Sequence, residues 1–178
     1  MLLPMLGLLA GCQTTTDVGR PSGRRSIHQE AMAALDQIRA RDPSLEPLIN
    51  SAYAYVIFPE IVTVAVGVGG ASGTGEVYQQ GQLIGYADLT QASVGAQVGG
   101  QKYAELILFR TEQPFLDFRQ GSFEFDARAS AVAAASGAAA AADYSRGVLV
   151  ETLPQSGLMV QAALGVQKFQ FTPIAATR

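Results

Sequence analysis

Tryptophan is absent from this 178-residue chain, and cysteine and histidine occur once each. A single cysteine allows no intrachain disulfide, and one Cys with one His cannot furnish the usual Cys/His zinc site, so no metal and no cofactor is expected. A Ser/His/Asp triad would have to use His28. That residue lies in a polar stretch near the start of the first predicted helix and reads as a solvated helix residue rather than a catalytic base. Charge is also scarce: charged residues make up 15% of the chain, against roughly 25% in ordinary soluble domains. Twelve Lys and Arg against fifteen Asp and Glu leave a net charge of -3, which argues against a general electrostatic grip on nucleic acid.

The few basic groups are unevenly placed. Residues 13 to 41 carry Arg20, Arg24, Arg25, Arg39 and Arg41 against Asp17, Glu30 and Asp36, a balance of +2, whereas residues 42 to 178 carry -5. Attraction to an anionic surface is therefore expected from the N-terminal segment alone. Hydrophobic residues make up 48% of the chain, which excludes disorder for most of it, and the length fits one domain.

Met1 to Gly11 (MLLPMLGLLAG) is a continuous apolar run. It has about half the roughly 20 residues that a membrane-spanning helix needs, and reads as the h-region of a signal peptide. Leu9-Ala10-Gly11-Cys12 resembles the lipobox of bacterial lipoproteins, in which the signal is cut before Cys and that Cys is acylated, with palmitate as one expected chain. Gln13, where Asp is the retention signal, resembles the pattern sent on to the outer membrane, facing the periplasm. Residues 12 to 25, with Gly19, Pro21 and Gly23, have the composition of a flexible tether behind the acylated Cys12. Arg20, Arg24 and Arg25 would then lie close to phospholipid headgroups.

From Ser26, with Gln29 three residues on, Ile27, Ala31, Ala34, Leu35 and Ile38 recur at helical spacing to about Arg41. Asp42-Pro43 starts a shorter helix through Leu45, Leu48 and Ile49. These two helices are expected to cover one side of a sheet. From Tyr53 the period becomes two: Val62, Val64, Val66 and Val68 alternate with Thr63, Ala65, Gly67 and Gly69, and residues 92 to 99 repeat the pattern. Tyr103 to Phe109 reads as a more fully buried strand. Gly73, Gly75, Gly81 and Gly157 read as turns, and Thr111 to Gln120, closed by Gly121, as a short helix with Phe115 and Phe118 inward. Strand alternation is also expected over 123 to 130 and 158 to 166, and the Ala-rich stretch 127 to 142 is read as strand, turn, strand despite its helix propensity. The fold class expected is α+β, a Gly-rich, antiparallel, barrel-like sheet packed with N-terminal helices and one short internal helix.

The glycines from Gly67 to Gly75 fail as a nucleotide loop, because Ser72 stands where G-x-G-x-x-G needs glycine and no Lys follows. Glu124 and Asp126 lie two apart, the default for a half-solvated strand rather than a catalytic pair. Taken in order, Tyr55-Val56-Ile57-Phe58-Pro59, Gly69 to Gly75, Ser93 to Gly100, Leu108-Phe109, Asp126 to Ser130 and Gly157-Leu158-Met159 resemble the successive signatures of the SYLF domain. That family is also described as lipid-binding or as a yeast actin-patch-type actin-binding domain. The resemblance runs from about Ser26 to Pro173, so residues 26 to 178 are expected to form one SYLF-like domain. It implies phospholipid binding without catalysis, and it resembles the bacterial members that are envelope lipoproteins. Actin association, known for fungal members, does not suit a protein facing the periplasm. The rival expectation is a structural or assembly protein of the envelope that binds another protein, or itself, through the sheet.

Overall fold

The computed structural model describes residues 21–121, 124–126, 147–156 and 166–174, with the backbone alone at 21, 65–68, 93–99, 124–126, 156 and 166. The first helix, α1, spans Pro21–Arg41. Ile27, Ala31, Ala34, Leu35 and Ile38 are its buried residues, the stripe that the spacing predicts. The helix begins before Ser26, at a proline, whose missing N–H has no intrahelical acceptor to lose in a first turn. Ser26 is consequently inside the helix, and its hydroxyl donates to Glu30 one turn on, at 2.7 Å. Residues 21–25, expected in the tether, are helical instead. Asp42 then caps a 3-10 turn (Pro43–Leu45) by accepting from the Ser44 backbone N–H at 3.0 Å, and α2 (Glu46–Ser51) follows.

Two long strands dominate the sheet. β1 (Ala54–Gln79) and β2 (Gln82–Phe109) form one antiparallel hairpin. Gln80 and Gly81 turn it with φ of 51° and 77°, the positive values that the right-handed strand twist favours in a two-residue turn. The other edge of β2 is shared: β4 (Val148–Ser156) pairs with residues 102 to 109 and β5 (Val166–Pro173) with residues 85 to 91. β3 (Glu124–Asp126) extends β5, and every pairing is antiparallel. The class is α+β, as expected. The described strands follow an open path, β1-β2-β5-β3 with β4 beside β2, and do not close a barrel.

Gly73 and Gly75 lie within β1 and are not turns. Their role follows from the hairpin doubling back, which brings its tip to its own start, where the Gln80 backbone N–H donates to the Tyr53 carbonyl at 3.2 Å. A Cβ on Gly73 would stand 2.8 Å from the Glu60 carbonyl oxygen, and one on Gly75 2.7 Å from that of Ile57. Only glycine lets the strand approach itself so closely. Gly81 does mark a turn, and Gly121, with φ of 71°, ends the short helix α3 (Glu112–Arg119) as predicted.

Residues 103 to 109 are buried on both faces because the sheet has a layer on each side. On one side Ile57, Leu106 and Leu108 meet Leu35, Ile38, Leu45 and Ile49 of the N-terminal helices. On the other, Val56, Phe58, Ile107 and Phe109 meet the returning arm, Phe169 of β5, and Phe115 and Phe118 of α3. Phe118 lies tilted between Phe109 and Phe169, with centroids 5.2 and 5.3 Å away. The Ala-rich stretch 127 to 142, Phe123, Gly157 and the alternation from Leu158 to Leu164 lie outside the described residues.

Candidate functional site

Of the residues that the sequence offers for headgroup contact, Arg24 and Arg25 are exposed on the first turns of α1. Cys12 and Arg20 lie outside the described residues. The two arginines sit at the positive end of a helix dipole, which adds to their attraction for an anion.

One turn along α1, His28 departs from the solvated role read for it. Its side chain is half exposed, yet Nδ1 lies 3.1 Å from Oε2 of Glu76, which is fully buried in β1. The Tyr78 hydroxyl donates to the same oxygen at 2.6 Å, and the Tyr78 ring stacks on Tyr55 with centroids 4.7 Å apart. Burial first, and then the Glu76 carboxylate that its hydroxyl faces, push the Tyr78 phenol far above its ordinary range. Tyr86 on β2 is raised by the same two causes, while Arg24 acts on it in the opposite direction. These groups join α1 to the returning arm of the hairpin. Sequence reasoning missed Glu76 because it is paired to a residue 48 positions away, behind a glycine run that looked like loop. The usable signal was Glu76 and Tyr78 two apart on a strand, and so on one face.

Beneath α1, a groove of about 280 Å³ lies between Ile27 and Glu30 of the helix and the crossing strands. Its polar lining is acidic or hydroxylic: Glu30, Glu60, Asp88, Ser72, Thr74 and Thr90. Asp88 accepts from the Thr74 hydroxyl at 2.7 Å and Glu60 pairs with Lys102 at 2.9 Å. That lining would repel a phosphate.

On the other face of the sheet, Glu105 and Gln167 are each 1% exposed, and the Gln167 amide donates to Glu105 Oε2 at 3.1 Å. Desolvation pushes the Glu105 carboxyl up to about 7, against the opposing effect of the Gln167 hydrogen bond. Nothing in the sequence singled out this pair. Glu124 and Asp126 occupy β3, but their side chains lie outside the described set. Residues 67–75, the rejected nucleotide loop, are part of β1, and the chain continues from them as strand rather than helix.

No family model matches the chain. Beta cell expansion factor A of Aeromonas veronii is 24% identical over 147 residues, covering 82% of this chain and 56% of that protein. The chain thus spans little more than half the length of this relative, whose name specifies neither a ligand nor a reaction. No described helix is long and apolar enough to cross a membrane.

Proposed function

We propose that this chain is a bacterial envelope lipoprotein, acylated at Cys12 and held on the periplasmic face of the outer membrane, whose SYLF-like domain binds phospholipid without catalysing a reaction. One observation carries the reading: the sole cysteine closes an apolar run and stands nine residues ahead of α1, on which Arg24 and Arg25 are exposed. Nine extended residues reach about 30 Å, so a membrane-held Cys12 keeps those arginines near the headgroups. The curl of the hairpin belongs, in this reading, to a barrel-like sheet. The acidic body faces away from an anionic leaflet, and each tether or helix arginine near the surface contributes about 1 kcal/mol.

Liposome co-sedimentation of residues 13 to 178 without the acyl anchor tests the lipid reading. The variant carrying Arg20→Ala, Arg24→Ala and Arg25→Ala is expected to bind phosphatidylglycerol vesicles roughly a hundredfold more weakly at low salt, three contacts of about 1 kcal/mol together. The difference should shrink as ionic strength rises. Equal, salt-independent binding by both proteins would move recognition to an apolar surface. No binding by either would leave the anchor as the whole membrane affinity and favour an assembly protein.

A further inference from the structure

We propose that His28, Glu76 and Tyr78 form a proton-linked latch that fastens the first turns of α1 to the returning arm of the hairpin and tightens in mild acid. This goes beyond the lipid reading and does not depend on it. Among residues 22–26 none is buried, and Ile27 is the first α1 side chain to enter the core. Among the described hydrogen bonds, that of His28 is the one nearest the helix start that reaches the sheet.

The partner is a carboxylate in an unusual state. Glu76 is fully buried, both of its contacts, from His28 and from the Tyr78 hydroxyl, fall on Oε2, and Oε1 has no partner. A buried carboxylate with one oxygen unpartnered is undercompensated, and its strongest available remedy is a full positive charge beside it. With a neutral imidazole, Nδ1–H donates an ordinary hydrogen bond to Glu76. When the imidazole takes a second proton at Nε2, the same contact becomes an ion pair in a partly desolvated position, without movement of either side chain. Histidine is the side chain that makes this change in mild acid. The other groups facing it are Tyr78 and Tyr55 from β1, Tyr86 from β2 and Arg24 from α1 itself. Burial raises all three phenols above their ordinary range, so they stay neutral here.

Thermal unfolding of the full chain at pH 8 and pH 5, for wild type and His28→Gln, tests the latch, together with amide exchange over residues 22–31. Because His28 is half exposed, the glutamine variant keeps the core intact. The wild-type advantage in Tm is expected to widen by about 3 °C from pH 8 to pH 5, and the exchange of those amides to slow about fivefold more in wild type than in the variant. Titration of groups outside the His28–Glu76–Tyr78 cluster is common to both proteins and cancels in the difference. The widening should vanish in a Glu76→Gln background. A gap that is the same at both pH values, or one that still widens without the Glu76 carboxylate, would overturn the proposal.

Discussion

At the scale of single residues, the two buried glutamates have opposite environments. Glu76 has two polar partners, the Tyr78 hydroxyl and the His28 imidazole, whereas Glu105 has the Gln167 amide. Glu105 accordingly holds its proton in the folded protein up to about pH 7, against an ordinary value of 4.5. Because the folded form binds the proton more tightly, this group's contribution to stability is fully present below pH 4.5. It falls as the unfolded chain ionises and levels off once the folded form ionises near pH 7. The span corresponds to a loss on the order of 3 kcal/mol. In Glu105→Gln, which keeps the shape and hydrogen-bonding capacity of the side chain, urea unfolding between pH 4.5 and pH 8 should lack that part of the slope. An unchanged slope in the variant would show that Glu105 titrates alike in both states.

At the scale of elements, the hairpin's fold-back rests on two glycines. A Cβ on Gly75 would meet the Ile57 carbonyl oxygen and the Phe58 ring, both at 2.7 Å, and backbone cannot step aside as a flexible side chain can. Gly75→Ala is expected to cost about 1–3 kcal/mol in urea unfolding. Gly100→Ala, whose Cβ would lie 3.6 Å from the Thr63 carbonyl oxygen, an ordinary contact, should stay within about 0.5 kcal/mol of wild type. Equal effects from the two substitutions would deny that the strand approaches itself. The same pair of elements separates what the sequence makes legible from what it does not. Ile27 to Ile38, Asp42-Pro43, Tyr103 to Phe109 and Phe115 with Phe118 could be read because periodicity and capping are local. Gly73 and Gly75 could not, because glycine in a turn and glycine in a strand pressed against another strand look alike until the tertiary contact is known. The exposure of Arg24 and Arg25 suits their charge, while the His28–Glu76 contact spans 48 positions and leaves no local trace.

At the scale of the whole molecule, the acidic body and basic leading segment would, in the proposed reading, give the domain a direction relative to a membrane. Residues 42 to 178, at -5, are repelled by an anionic leaflet, and residues 13 to 41, at +2, are drawn to it. Three arginine contacts of the proposed kind would give a weak hold that ordinary salt erodes, so permanent residence would need a covalent device. Two or three acyl chains on Cys12, at about 0.8 kcal/mol per buried methylene, would supply one. Cys12→Ser removes the thiol on which acylation begins and leaves every described contact of the fold untouched. Membrane fractionation should therefore find wild type in the outer-membrane pellet and the variant absent from it, and mass spectrometry should find acyl chains on the wild-type N-terminal peptide alone. An equally pelleted serine variant, with no acyl mass on the wild-type peptide, would transfer the anchoring to the folded domain itself.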